Sequence, residues 1–147
     1  MNTDLEAAQT LANELLCSSF VCDLGLFGAR STLRFANNNL GIEVWLSIEA
    51  GFRLDPPPEL PSGLTSRQHD LLQLESTYGL EVQAVQCCVD SHLEILFTNG
   101  TTLTVDNDTS ADEPWALRED GGTALLVASQ NGGYAIWQRT SASSKRT

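Results

Sequence analysis

The chain has 147 residues, of which 41% are hydrophobic and 18% are charged, a composition typical of one globular domain rather than a disordered or fibrous chain. Its 19 acidic and 8 basic residues give a formal net charge of −11 at pH 7. A field of that sign repels phosphate backbones and anionic lipids, so we expect neither nucleic acid nor a membrane as a partner.

The first half of the chain predicts one helix followed by strands. Thr3 and Glu6 form a capping box, and apolar residues follow at three- and four-residue intervals. This pattern predicts that the N-terminal segment, residues 1–17, forms a helix from Thr3 onwards. Short stretches rich in branched and aromatic residues, separated by Gly and Asn, predict a first β unit over residues 20–55. Within it, residues 42–48 alternate between apolar and polar side chains, as in a half-buried strand.

The second half predicts a short helix and more strands. Residues 56–79 form a proline-rich linker, in which Thr65 and Gln68 make a second capping box and predict a short helix. Residues 80–138 are expected to form a second β unit, and residues 139–147 a flexible tail. We expect one domain over the whole chain.

The two β units share a repeated pattern. A shift of 51 positions aligns residues 42–55 with residues 93–106 without a gap, and the apolar positions coincide. Asn99-Gly100 in the second copy is a strong hairpin signal, so the pattern predicts two similar β-hairpins. Their inward faces should be buried together: Ile42, Val44, Leu46, Leu93, Ile95, Phe97, Leu103 and Val105. The expected fold class is therefore α+β, mainly an antiparallel sheet or half-barrel built from two similar hairpin units.

The sequence offers no recognisable catalytic apparatus. His69 and His92 are the two histidines, and neither accompanies a nucleophile motif, while the glycine pairs are typical of turns rather than phosphate loops. The adjacent Cys87 and Cys88 should point to opposite faces of a strand, where they cannot readily ligate one ion. We therefore expect no enzyme, no metal, no cofactor and reduced cysteines. Because no apolar run is long enough to span a bilayer and no leader pattern is present, we expect a cytoplasmic protein.

The strongest functional signal is the acidic segment, residues 106–120, in which six carboxylates surround one tryptophan. An aromatic anchor inside an acidic rim suits a basic partner. The candidate partner-binding residues are Asp106, Asp108, Asp112, Glu113, Trp115, Glu119 and Asp120. Two alternatives stay open: the charge serves solubility alone, and Trp115 is a core residue beneath a solvated loop.

Several strand and turn motifs lie between residues 42 and 138, and the most distinctive are Glu113-Pro114-Trp115 and Gly132-Gly133 followed by Trp137. With these motifs the chain resembles a bacterial family of small immunity-like domains associated with interbacterial toxin systems. The resemblance implies a cytoplasmic immunity protein that binds and neutralises a cognate toxin, and it assigns no catalytic residue. Residues 1–41 have no counterpart and are a second candidate for the toxin-specific surface.

The leading hypothesis is an immunity protein whose acidic surface binds a cationic toxin domain such as a nuclease, because an enzyme that grips phosphates is itself basic. Two alternatives come from other classes. One is a cytoplasmic small-ligand or metal-binding domain, and the other is a structural homo-oligomer, such as a homodimer, whose sheet edges pair.

Overall fold

The computed structural model describes residues 3–106, 113–120, 123–130 and 132–137. Residues 107–112 of the acidic segment and the predicted tail, residues 139–147, lie outside the described residues. In chain order the secondary structure elements are α1 (Thr3–Leu16), β1 (Phe20–Phe27), β2 (Arg30–Asn37), β3 (Ile42–Ile48), β4 (Phe52–Asp55), α2 (Ser66–Glu75), β5 (Val82–Cys87), β6 (Leu93–Phe97), β7 (Thr102–Val105), β8 (Trp115–Glu119), β9 (Ala124–Ala128) and β10 (Tyr134–Ile136).

α2 begins where its capping box predicts it, and α1 is described from Thr3, the first residue of the other predicted capping box. At the start of α2, the amide of Gln68 donates to the Thr65 hydroxyl and the Gln68 side chain accepts from the Thr65 amide. The buried face of α1 consists of Ala8, Ala12, Leu15 and Leu16. Neither of these helices has the length and apolar character needed to cross a membrane, a finding that covers the described residues.

The described strands form two antiparallel sheets, which confirms the α+β class without a closed barrel. The larger sheet has the order β1-β2-β3-β8-β9-β10, and the smaller one has the order β4-β7-β6-β5. The sheets adjoin where the Val21 amide at the start of β1 donates to the Leu80 carbonyl just before β5. One cluster of buried side chains, drawn from both sheets and both helices, lies between them.

The prediction of two similar hairpins is wrong for the first copy of the repeat. β6 and β7 form a hairpin, but β3 pairs with β2 and β8 while β4 crosses to the smaller sheet and pairs with β7. The reason lies in the predicted turn, where the amides of Glu49 and Ala50 both donate to the Pro114 carbonyl. The backbone before β8 therefore fixes the segment in which the chain passes from the larger sheet to the smaller one. β8 pairs with the edge of β3 that β4 would occupy in a hairpin.

The predicted inward faces are confirmed even though the pairing differs. Seven of the eight apolar side chains expected inside are buried, and Ile42 is partly buried against them. The second strands of the two copies, β4 and β7, pair with each other, with Phe52 opposite Val105 and Leu54 opposite Leu103. Alternation along a strand decides which side chains face the core, whatever strand lies beside it.

Two side-chain amides form hydrogen bonds with backbone groups near α1, one at a strand edge and one at the end of the helix. The Gln9 side chain lies along the edge of β5, where its Nε2 donates to the Val85 carbonyl at 2.7 Å and its Oε1 accepts from the Cys87 amide at 2.8 Å. Asn37 Nδ2 donates to the Leu15 carbonyl at 2.8 Å, at the C-terminal end of the helix. These contacts give hydrogen-bond partners to backbone groups at a strand edge and at a helix end, which would otherwise bind water.

The sequence did not predict β8, which lies inside the acidic segment. Trp115 at its start is fully buried, with its ring 6.0 Å from that of Tyr134, and its Nε1 donates to the Ser91 carbonyl at 2.7 Å. The structure therefore places Trp115 in the core. The predicted role of Trp115 as the aromatic anchor for a partner is corrected, and the alternative of a core residue holds, because its ring is buried and lies against Tyr134.

Replacing Trp115 with alanine should lower the free energy of unfolding by about 3–5 kcal/mol, because it opens a cavity and leaves the Ser91 carbonyl without its donor. The matched control is Trp137→Ala, at a position whose side chain is 48% exposed, and it should cost less than about 1 kcal/mol. Urea unfolding followed by circular dichroism gives both values. Equal losses at the two positions would contradict the buried placement of Trp115.

Candidate functional site

The structure separates the predicted partner-binding residues into distinct locations. Asp106 follows β7 and forms an ion pair with Arg53 at 2.8 Å, and Glu113 is exposed just before β8. Glu119 and Asp120 lie at the other end of β8, about 13 Å along the strand from Trp115 at ~3.3 Å per residue. Asp108 and Asp112 lie outside the described residues. The described members of the set therefore do not form one rim around Trp115.

A different tryptophan lies beside the carboxylates at the end of β8. Trp45 on β3 is partly exposed, and its Nε1 donates to Asp120 Oδ1 at 3.0 Å. The Asp120 amide donates to the Glu43 carbonyl, which holds the end of β8 against the start of β3. We call the surface formed by Arg34, Glu43, Trp45, Glu119 and Asp120 the Trp45 face.

Arg34 on β2 is the central cation of the Trp45 face. Its guanidinium lies 5.0 Å from the centre of the Trp45 ring, in a cation–π contact, and pairs with Glu43 and Asp23 at 3.1 Å each. These contacts fix the Trp45 ring from one side and leave Glu43 bound through one oxygen. The aromatic ring is thus held in place before any partner arrives.

An open groove of about 490 Å³ is lined by Asp120, the residue that accepts the hydrogen bond from Trp45. It runs between the β2–β3 turn and the end of β8, and the acidic residues Glu43, Glu119 and Asp120 are among those that line it. Three carboxylates converging on one groove attract a cation, and a long lysine or arginine side chain has the length and charge to enter it. The Trp45 face therefore combines an oriented aromatic ring with an acidic groove.

A second polar cluster lies at the turn between β5 and β6. His92 Nδ1 donates to Asp90 Oδ1 at 2.7 Å, while His92 Nε2 lies 3.1 Å from Glu94 Oε2 and 3.4 Å from Cys88 Sγ. We call these four residues the Cys88–Glu94 cluster. The turn is closed by the Cys88 amide, which donates to the His92 carbonyl, and by Ser91 in a left-handed conformation with φ 72°.

Residues of the larger sheet hold this turn in place. Trp115 Nε1 donates to the Ser91 carbonyl, and the Tyr134 hydroxyl donates to the Cys88 carbonyl at 2.6 Å. Gly132 approaches so closely that a Cβ there would lie 2.9 Å from the Val89 carbonyl oxygen. The side chains of the cluster are therefore presented on a backbone that both sheets fix.

The charges of the Cys88–Glu94 cluster shift the pKa values of its members. Burial alone would lower the pKa of His92, but its hydrogen bonds to Asp90 and Glu94 outweigh burial and raise it. The His92 amide donates to Asp90 and lowers the pKa of that carboxyl. Burial, followed by the charges of Glu94 and Asp90, raises the pKa of the Cys88 thiol. The cluster thus places the imidazole between two carboxylates and beside the Cys88 thiol, and its surroundings favour the protonated ring and the neutral thiol.

Sequence reasoning missed both groupings, although each left a signal. Alternation along β3 put Trp45 on the polar side of the strand, yet its partner Asp120 is 75 positions away. The members of the cluster are close in the sequence, since Cys88, Asp90, His92 and Glu94 occupy every second position. Cys88 was not expected to bind a metal because its neighbour Cys87 points the other way, and Cys87 is buried in the core.

No family model, curated protein or solved structure matches the chain. The resemblance to immunity-like domains therefore stays a prediction that rests on the quoted motifs. The two surfaces described above have to be interpreted from their own chemistry.

The raised pKa of His92 predicts a defined pH dependence. The folded protein binds the His92 proton more tightly than the unfolded chain, whose histidine pKa is about 6.5. The resulting stabilisation is fully present below about pH 6.5 and is lost as the pH rises through the folded-state pKa. Titration of the His92 ring by NMR should give a pKa above about 6.5, and Asp90→Asn should lower it. A ring that titrates identically in both proteins would contradict the cluster geometry.

Proposed function

We propose that the protein is a binding protein that holds a basic protein partner on the Trp45 face. The observation that carries this proposal is the hydrogen bond from Trp45 Nε1 to Asp120, which joins an oriented aromatic ring to the acidic groove. Large aromatic side chains supply much of the energy at protein interfaces. Surrounding carboxylates supply association rate and selectivity for a cationic partner.

The charge of the whole chain supports the same kind of partner. A net charge of −11 gives the molecule a negative field that accelerates the approach of a basic surface and opposes that of an acidic one. Arg34 is already engaged with Asp23 and Glu43, so it leaves the groove with an excess of negative charge. A lysine or arginine of the partner would pair with these carboxylates while its neighbouring apolar atoms cover the Trp45 ring.

The resemblance to immunity-like domains adds the identity of the partner to this proposal. It names a cognate toxin domain, such as a basic nuclease, and a cytoplasmic site of action. Blocking a nuclease with carboxylates that stand in for substrate phosphates follows from the same electrostatics. A toxin domain encoded by a neighbouring gene would be the first partner to test.

Neutralising the groove should slow association with that partner. The triple variant Glu43→Gln, Glu119→Gln, Asp120→Asn keeps hydrogen-bonding side chains but removes three charges, so the association rate should fall by about tenfold or more at low salt, with a flatter salt dependence. The matched control, Asp55→Asn, Glu59→Gln, Glu75→Gln, removes three exposed charges outside the groove, the acidic segment and residues 1–41. Stopped-flow kinetics across a salt series measures both proteins. Equal slowing in both would show that only the overall charge matters.

The variant pair Asp108→Asn, Asp112→Asn tests the remaining part of the acidic segment. If this pair slows association and the groove triple does not, the interface lies on residues 107–112 rather than on the Trp45 face. If neither set changes the rate, the interface belongs on residues 1–41, the other candidate surface.

Trp45→Ala should raise the dissociation rate of the complex by about 30-fold or more, as expected when a central aromatic side chain is lost from an interface. Trp137→Ala removes an exposed tryptophan that is not part of the Trp45 face and serves as the control. Its dissociation rate should stay within about twofold of that of the original protein. Surface plasmon resonance gives both rates, and thermal melts report whether each variant is folded. A folded Trp45→Ala protein with unchanged dissociation would exclude Trp45 from the interface.

A further inference from the structure

We propose that the Cys88–Glu94 cluster is a binding site for a divalent transition metal ion, with zinc as the expected ion. The ligands are Cys88 Sγ, His92 Nε2 and Glu94 Oε2, three atoms that lie within 4.8 Å of one another. Thiolate, imidazole and carboxylate together are the donor types that zinc takes in proteins. This inference is independent of the partner proposed for the Trp45 face.

Two of the three distances between these atoms are close to those of a tetrahedral zinc site. With bonds of about 2.3 Å to sulfur and about 2.0–2.1 Å to nitrogen and oxygen, neighbouring ligand atoms lie about 3.6 Å (S to N) and about 3.4 Å (N to O) apart. The structure has 3.4 Å between Cys88 Sγ and His92 Nε2, and 3.1 Å between His92 Nε2 and Glu94 Oε2. An ion would need only a small outward movement of these side chains.

Asp90 sets the correct tautomer of the histidine. A carboxylate only accepts, so the 2.7 Å contact of Asp90 keeps a proton on His92 Nδ1, and loss of the other ring proton leaves the Nε2 lone pair directed towards Cys88 and Glu94. Histidines that ligate zinc usually donate their second ring nitrogen to a carboxylate or carbonyl in this way. A histidine with only a surface ion-pair role would not need a thiol beside its other nitrogen.

Two other roles fit these atoms less well. A cysteine–histidine–aspartate catalytic triad needs His92 Nε2 to serve the Cys88 thiol, whereas the Glu94 carboxylate lies nearer to that nitrogen, at 3.1 Å against 3.4 Å. A simple ion pair explains His92, Asp90 and Glu94 but leaves the thiol unexplained. A dication reverses the electrostatics, since it replaces the proton on Nε2 and stabilises the Cys88 thiolate.

The backbone around the cluster is suited to holding a metal. Cys88 lies directly after β5, Glu94 lies within β6, and the turn between them is bound by Trp115 and Tyr134. A ligand set placed on fixed strands loses little conformational entropy when the ion binds. The three ligands come from one side, and His92 and Glu94 are 29% and 44% exposed, so a fourth position faces solvent. Three protein ligands with one open position are typical of zinc sites that bind a further group.

The test is a metal titration of the full chain after treatment with a chelator. Calorimetry with Zn²⁺ should show one ion per chain together with proton release, because the Cys88 thiol and protonated His92 both lose a proton. Visible absorption with Co²⁺ should show the bands of a tetrahedral ion with a thiolate ligand. Each of the variants Cys88→Ser, His92→Gln and Glu94→Gln should weaken zinc binding at least tenfold, and Cys88→Ser should also remove the thiolate band.

Asp90→Asn separates a supporting residue from a ligand. It should weaken binding by about 10- to 100-fold while the cobalt thiolate band remains, because Asp90 orients His92 without touching the ion. The matched controls are Cys22→Ser and His69→Gln, which change the same residue types outside the cluster and should bind zinc like the original chain. Thermal melts in chelator show whether each variant is folded.

Three results would overturn the proposal. The first is that the folded original chain binds no zinc at micromolar concentrations. The second is that binding persists unchanged in Cys88→Ser and His92→Gln, which would assign the ion to other groups. The third is that Cys22→Ser or His69→Gln abolishes binding while the cluster variants retain it. None of these results bears on the Trp45 face, so the two proposals can fail separately.

Discussion

The pairing of β8 with β3 is the contact on which both candidate surfaces depend. β8 is a five-residue strand that places Leu117 opposite Leu46 in the middle of the larger sheet. At one end its Trp115 passes under the β5–β6 turn and binds the Ser91 carbonyl, which supports the Cys88–Glu94 cluster. At the other end Asp120 reaches Trp45 and completes the acidic groove. One short strand therefore links the cluster to the Trp45 face.

Local patterns predicted the helices and the buried faces, but they did not predict the strand partners. Capping boxes and period-two alternation depend on neighbouring residues, so the start of α2 and the burial of Val44 and Leu46 follow from the sequence. The first predicted hairpin was wrong because alternation is satisfied equally by β4 or β8 beside β3. β8 itself was missed because its short apolar stretch lies between acidic residues, whose charge dominated the interpretation.

The candidate sites show the same division between local and distant information. Charge density identified Glu119 and Asp120, but the aromatic partner on β3 could be found only from the sheet order. The alternating Cys88, Asp90, His92 and Glu94 were visible in the sequence. On a continuous strand such residues are spaced about 6.6 Å apart, too far to share one ion. The turn, with Ser91 at φ 72°, brings the cysteine and the histidine back together.

The central claim is that β8, and not β4, completes the edge of β3. NMR measurement of nuclear Overhauser effects between backbone protons across this edge tests it most directly. The account predicts cross-strand effects that pair Trp45 with Arg118 and Leu46 with Leu117. Cross-strand effects between Val44 and Phe52, the register that a hairpin of β3 and β4 would have by analogy with β6 and β7, would contradict it. In that case β8 would no longer connect the Trp45 face to the Cys88–Glu94 cluster.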